Sequence, residues 1–262
     1  MPFEKFELRF PSHQNGVDLF AGRWASDLAK ARPITGTGPA DLFVGDPRPD
    51  MAAAALGNGG RLEGMKVLEL GPLEAGHSYQ LENLGADYIL GIEANAEAYL
   101  KCLIVKEAFN LGRCHFLLGD VEEFLTKTDK TFDLVFCSGI LYHMQDPLNM
   151  IQEICRIASR CFVWTHYYNE ESGDREGKRT RRHVERSGFA ADYYELDYHN
   201  RSEGTFWGGN AERRAWMTQD SILEGFRHFG LTHVEVLQDT PSHQNGAAMS
   251  FAASRTTMRK PA

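Results

Sequence analysis

Between Met65 and Tyr168 the apolar positions fall into short continuous runs separated by amphipathic stretches, the alternation expected of a parallel α/β sheet. "MKVLEL" is a strand ending at Gly71, and "SYQLENLG" is a short helix closed by Gly85. "YILGIEA" is a second strand, "AEAYLKCLIVKEAFNLG" an amphipathic helix and "CHFLLGD" a third strand. "FDLVFCSG" is the fourth, leading through "ILYHMQ" to a helix capped by Asp146 with Pro147 at its first position. "CFVWTHYY" is the fifth strand.

The pattern then breaks into a polar and aromatic stretch, Asn169 to Trp216, too long for a connection and expected to be an inserted cap with structure of its own. Regularity returns with a helix "TQDSILEGFRHFG" and two strands, "HVEVLQ" and "AAMSFAAS", joined as a hairpin. Ahead of the core, "VDLFAGRWASDL" predicts a short amphipathic helix and "LFVGDPRPD" a loop entering another. The expected organisation is an N-terminal lid or substrate segment over 1–60, a core over 61–168, the cap over 169–216, and the rest of the core with its final hairpin over 217–262.

Length and apolar content, 262 residues and 42% hydrophobic, suffice for one large core or two modest ones. No apolar run approaches the roughly 20 residues of a membrane helix, and the first residues have no signal-peptide pattern, so a cytoplasmic protein is expected. Five cysteines without CxxC spacing read as reduced core thiols. No carboxylate pair suggests a metal. A net charge of −8 argues against a nucleic-acid surface over the whole protein. "REGKRTRRHVER" is the local exception, with Arg175, Lys178, Arg179, Arg181, Arg182 and Arg186: a solvated basic face, or a site for phosphate, carboxylate or RNA backbone.

In open α/β sheets ligands bind beyond the carboxyl ends of the strands. Those ends carry "ELGPLEAGH", "GIEAN", "LGDVEE", "CSGILYH" and "WTHYY". Glu93 stands about 20 residues after the first glycine, where a carboxylate can accept both hydroxyls of a ribose. "GPLEAG" is a poor match to the pyrophosphate fingerprint of dinucleotide enzymes, so a nucleoside without phosphates is the expected ligand.

The ordered segments "VLELGPLEAGHSYQLENLGA", "GIEAN", "LLGDVEEF" and "FDLVFCSGILYHMQDPL" resemble the successive motifs of class I S-adenosylmethionine-dependent methyltransferases. The fourth is also similar to its counterpart in tRNA uridine carboxymethyltransferases. The resemblance implies a Rossmann-like fold: a mostly parallel seven-stranded sheet with a C-terminal antiparallel hairpin. It also implies S-adenosylmethionine as cofactor. Glu69, Gly71, Pro72, Gly76 and His77 would shape the methionine pocket, and Glu93 with Ala94 would hold the ribose. Asp120 and Val121 would flank the adenine, and Ser138 would face the sulfonium. Asp120 also reads as a helix N-cap, which is compatible.

Methyl transfer needs alignment above all, and a base only where the acceptor is protonated. Tyr142, His143 and His166, at the ends of the fourth and fifth strands, are the catalytic candidates. Tyr167, Tyr168, Trp164 and Trp207 are candidate pocket walls, and Trp24 a substrate contact.

The hexapeptide "PSHQNG" occurs at Pro11 to Gly16 and again at Pro241 to Gly246 without alignable flanks, so it marks no repeat. Its two copies would either be independent turns or present His13, Asn15, His243 and Asn245 to one acceptor.

The expected activity is methylation of a small polar acceptor, a sugar or natural-product precursor, at oxygen or nitrogen. Two alternatives stay open: carboxymethyl transfer to tRNA or intramolecular alkylation of the cofactor, and a non-catalytic nucleotide- or RNA-binding module. Oligomeric state is not legible in the sequence.

Overall fold

The computed structural model describes residues 6–35, 37–170, 179–197 and 213–255. Trp207, Arg175 and Lys178 lie outside the described residues. Five parallel strands, β1 (Lys66–Leu70), β2 (Tyr88–Glu93), β3 (Cys114–Leu118), β4 (Leu134–Ser138) and β5 (Arg160–His166), join β9 (His233–Thr240) and β10 (Ala248–Ser254) in one sheet of order β3-β2-β1-β4-β5-β10-β9. β10 runs antiparallel to both β5 and β9, so β9 is parallel to the first five. The expected seven-stranded, mostly parallel sheet with a closing hairpin is the observed one.

Alternation along the strands divides the core between the two faces. Val67, Ile89, Leu134, Phe136 and Phe162 point to one cluster. Leu68, Leu90, Val135, Cys137 and Val163 point to the other. Helices α3 (Gly76–Asn83), α4 (Ala96–Phe109) and α2 (Arg48–Leu56) line the first cluster, while α6 (Pro147–Ile157) and α7 (Gln219–His228) line the second. Asn95, Asp120, Asp146 and Thr218 cap α4, α5 (Val121–Lys127), α6 and α7, each accepting a backbone N–H of the first turn. All five cysteines are free and buried.

The inserted stretch does have structure of its own: β6 (Thr180–Arg186), β7 (Phe189–Asp197) and β8 (Arg213–Trp216) form an antiparallel sheet. Tyr193 ties it to the core, accepting Leu148 N–H at 3.0 Å and donating to Asp146 at 2.6 Å. Three arginines of the basic stretch pair with acids of this sheet or of the core. Arg181 pairs with Asp192, Arg182 with Glu195 at 2.7 Å, and Arg186 with Asp146 at 2.6 Å.

The N-terminal helix differs from expectation. α1 spans His13–Asp18, starting inside the first PSHQNG and ending before "LFAGRW", where the chain turns through Gly22 at φ 73°. Phe20, Trp24, Leu28, Ile34 and Phe43 beyond it are buried in the first cluster.

One charged pair fastens this segment to the core. Glu74, in the loop after β1, is fully buried and accepts from Ala25 N–H at 2.9 Å, Ser26 N–H at 2.9 Å and Lys101 Nζ at 3.0 Å. Lys101 on α4 is equally buried, donates to the Arg23 carbonyl, and lies 5.6 and 5.4 Å from the Phe20 and Trp24 ring centroids.

Candidate active site

The loop after β1 turns tightly. Gly71 has φ 66°, and two non-glycine residues, Leu73 at 57° and Ala75 at 63°, also adopt the left-handed conformation. Such residues persist only where their surroundings over-determine them, and Glu74 between them is gripped by three donors. Gly76 is required by packing: a Cβ there would meet Leu42 at 2.8 Å. The sequence departs from the usual glycine spacing because the N-terminal segment supports this loop.

Glu93 ends β2, nearly buried. Its Oε2 accepts Leu73 N–H at 3.0 Å and its Oε1 accepts Asn95 N–H at 2.8 Å. Each oxygen keeps a second lone pair, the complement of a vicinal diol. Exposed Leu118 is its register partner on β3, with exposed Ala94 following Glu93 in the chain and half-buried Asp120 two residues beyond Leu118. Asp120 accepts Glu123 N–H at 2.9 Å as a cap, and Val121 beside it is buried. Pro72 is buried against Gly91.

Beneath the loop, Glu69 is 1% exposed, and its Oε2 accepts from the Ser78 hydroxyl. Burial, reinforced by Glu93, pushes its carboxyl up to about 7, and Oε1 has no hydrogen-bond partner. His77 stacks edge-on against Phe136 at 5.3 Å, with Nδ1 4.0 Å from Glu69. Its Nε2 is 3.1 Å from Asp46 but out of line for a hydrogen bond, and burial lowers its pKa.

Asp46 and Arg48 belong to the site although sequence reading left them in a loop. Arg48 Nε donates to Asp46 at 2.8 Å, Nη1 donates to Ser138 Oγ at 2.9 Å, and the guanidinium lies 5.1 Å over Trp164. Burial pushes the Asp46 carboxyl up, yet Arg48 and His77 outweigh it and hold the group well below the usual carboxylate range. The available signal was the Asp-Pro-Arg spacing ahead of α2, whose meaning depends on contacts 90 residues away.

Over the ends of β4 and β5 stands an aromatic cluster. Tyr142 lies 4.1 Å from His143, 4.7 Å from His166 and 6.0 Å from Trp164. His166 stacks flat on Trp216 at 5.3 Å and 6°. Its Nδ1 is 2.9 Å from the Gly246 carbonyl and 3.2 Å from that of Ala247. A carbonyl only accepts, so Nδ1 carries the hydrogen and Nε2 is the basic nitrogen of the neutral ring.

His243 of the second PSHQNG lies 5.1 Å from His166 and 6.1 Å from Trp164, and its Nδ1 accepts Asn245 N–H at 3.2 Å, with Asn245 itself exposed. The first copy is elsewhere. His13 lines a cavity with Gly16, Leu100 and Ile104 against α4, and Asn15 donates to the Phe10 carbonyl at 2.9 Å. α4 follows β2 on the β3 side of the sheet, whereas the second copy joins β9 to β10 at the other edge. The two copies are not brought together.

Trp24 is a core residue donating to the Val17 carbonyl at 2.9 Å. Tyr167 donates to Asp239 at 2.8 Å, and Tyr168 stacks on Tyr194 at 3.4 Å. Among the described residues no cluster of three or more His, Cys, Asp or Glu could hold a metal ion, and no helix is long and apolar enough to cross a membrane.

Gly246 holds the second turn against Trp216. Its φ is 104°, and an added Cβ would approach the indole at 2.7 Å. Gly246→Ala should destabilise by more than about 1 kcal/mol. Gly188→Ala, at φ 79° with nothing within 4 Å, should lose only the conformational part. Equal chemical-denaturation midpoints for the two variants would contradict the contact.

Residues 62–181 match the family described as "Methyltransferase domain". This region is similar to a methyltransferase domain. Among curated proteins, the chain is 30% identical over 93 residues to the tRNA U34 carboxymethyltransferase of Campylobacter hominis, spanning 36% of this chain and 32% of that protein. The chain thus spans about a third of the length of the curated relatives it matches. Among solved structures, it superposes with a TM-score of 0.64 and 21% identity on the N-terminal domain of EvdMO1 with S-adenosylhomocysteine bound, covering 85% of this chain and 88% of that one. That domain was also crystallised in the presence of D-fucose. The magnesium protoporphyrin IX methyltransferase of Synechocystis aligns at a TM-score of 0.53 and 17% identity, over 91% and 97% of the two chains.

The core therefore has the Rossmann-like fold of these S-adenosylmethionine-dependent enzymes, and its residues fit that cofactor. The unpartnered Glu69 Oε1 is a buried acceptor suited to an ammonium, Glu93 to a ribose, and exposed Leu118 to the face of an adenine.

Proposed function

We propose that the protein transfers the methyl group of S-adenosylmethionine to an oxygen or nitrogen of a small polar acceptor, with the acceptor held under the cap sheet. The observation that carries this reading is His166, whose Nδ1–H is tied to the Gly246 carbonyl so that Nε2 is the basic nitrogen of a ring 4.7 Å from Tyr142. The cofactor supplies an activated methyl carbon. Glu69 and Glu93 hold it at its two polar ends, Ser138 and Arg48 line the side next to the acceptor, and His166 takes the acceptor's proton. Trp164, Trp216 and Tyr142 exclude water from the reaction centre, which strengthens each polar contact there. A sugar-like acceptor is in keeping with the D-fucose present with the structurally similar EvdMO1 domain.

The curated relatives favour a second reading, carboxymethyl transfer to tRNA. Against it, Arg181, Arg182 and Arg186 of the basic stretch already pair with acids, Asp192 and Glu195 of the cap sheet and Asp146 at the start of α6. Calorimetry with S-adenosylhomocysteine tests the cofactor site: Glu93→Ala should weaken binding by about 1.5–3 kcal/mol, and unchanged binding would remove Glu93 from the site. Incubation with methyl-labelled cofactor and small-molecule or tRNA fractions of an extract separates the readings by which fraction takes up label.

A further inference from the structure

The second PSHQNG turn fixes the hydrogens of two imidazoles in opposite senses. The turn is closed at both ends, His243 N–H donating to the Thr240 carbonyl at 3.1 Å and Gly246 N–H to the His243 carbonyl at 3.0 Å. Within it the backbone N–H of Asn245 donates to His243 Nδ1 at 3.2 Å. A ring nitrogen that accepts an N–H carries no hydrogen of its own, so the neutral His243 ring holds its hydrogen on Nε2. His166, whose Nδ1 faces the Gly246 and Ala247 carbonyls of the same turn, is the opposite tautomer. His243 is half-buried, and among the described residues nothing accepts its Nε2–H. Its ring lies 5.1 Å from that of His166, tilted by 59°, and 6.1 Å from that of Trp164, which puts it beside the reaction centre.

We propose that the methyl acceptor is a hydroxyl, with its reacting oxygen held by the Nε2–H of His243, which is thereby a second catalytic residue. A hydroxyl oxygen has two lone pairs and one hydrogen. One lone pair accepts from His243 while the other attacks the methyl carbon. A neutral amine has a single lone pair, and an ammonium has none, so a fixed N–H donor opposes both. Two hydrogen bonds meeting at one oxygen reach across at most about 6 Å, and the 5.1 Å between the His243 and His166 centroids is on that scale. In the transfer the oxygen–carbon bond forms as the carbon–sulfur bond breaks, the bonding pair stays on sulfur, and the hydroxyl proton goes to His166. Charge that develops on the oxygen strengthens the bond from His243, so the contact is worth more in the transition state than before it. The proposal deepens the methyl-transfer reading and rests on it, because that reading places the acceptor among these rings.

The first test needs no acceptor. In the full chain, carrying isotope-labelled histidine and saturated with S-adenosylhomocysteine, proton–nitrogen correlation spectroscopy at alkaline pH should show the His243 hydrogen on Nε2. Finding it on Nδ1 overturns the proposal. The same chain is then incubated with S-adenosylmethionine labelled in its methyl group and with the small-molecule fraction of an extract. The chemical shift of the transferred carbon should be that of a methyl ether. A methyl on nitrogen, or an alkali-labile methyl ester, overturns the proposal. With the acceptor in that fraction, His243→Ala and His243→Asn should lower kcat about 10- to 100-fold while leaving S-adenosylhomocysteine affinity unchanged. His243→Gln, whose amide nitrogen reaches the place of Nε2, should restore most of the turnover. Full turnover in His243→Ala overturns the proposal, as does a folded His243→Gln variant no faster than His243→Ala. Failure of S-adenosylhomocysteine to bind, or of any small-molecule fraction to take up the methyl, would instead refute the underlying methyl-transfer reading, so the two failures are distinguishable.

Discussion

Glu74→Gln should cost the protein roughly 3–5 kcal/mol of stability, the range for removing one partner of a buried ion pair. Lys101 has no exposed surface and cannot recover hydration, so loss of the carboxylate leaves its charge leaning on contacts such as Glu97, 3.2 Å away and partly solvated. Gln still offers one oxygen to the Ala25 and Ser26 amides, so the substitution isolates the charge. Adding Lys101→Met should recover much of the loss, because the double variant buries no unpaired charge. Urea unfolding of the four proteins of this cycle provides the measurement. A single-variant loss below about 1 kcal/mol would show that Glu97 alone suffices.

His166→Ala should lower turnover by about 10²–10⁴-fold with the cofactor dissociation constant little changed, the range for loss of a general base. The asymmetry matters more than the size. His166 stacks on Trp216 and bonds the Gly246 carbonyl, both on the acceptor side, while the cofactor contacts argued above come from β1, β2 and the loop behind β3. Turnover and calorimetric affinity measured together decide between roles. A parallel loss of both would make His166 a structural prop, and unchanged turnover would leave alignment as the whole of catalysis.

The sheet was legible because its strands are buried on both faces: Leu134 to Cys137 is apolar without interruption, and Val67 to Leu70 is broken only by Glu69. The carboxylates proposed to hold the cofactor stood out by position, since Glu69 and Glu93 fall within or at the end of β1 and β2. What could not be read depends on partners remote in sequence. Lys101 looks like one more exposed lysine of an amphipathic helix until Glu74 is brought to it. Asp46 and Arg48 look like loop charges until Ser138 and Trp164 arrive beneath them. Gly76 was expected to shape the methionine pocket, and its want of a side chain also answers to Leu42 packed against it. The two PSHQNG segments differ by context alone: in one the hexapeptide opens a helix, and in the other Gly246 must clear an indole. Identical local chemistry thus serves two backbone courses, one chosen by α4 and the other by β10.

The position of β10 also governs the order of events while the chain is being made. All seven of its residues are buried, and it fills the gap between β5 and β9. The edge of β5 is complete at His166 but receives its partner only from Ala248 onward. At about 5–20 residues per second, the roughly 80 residues between them impose a wait of roughly 4–16 s. Throughout that interval the growing polypeptide displays an unpaired, apolar strand margin able to recruit neighbouring chains. The cap sheet, which packs through Tyr193 onto α6, is made within the same interval, before β10 arrives.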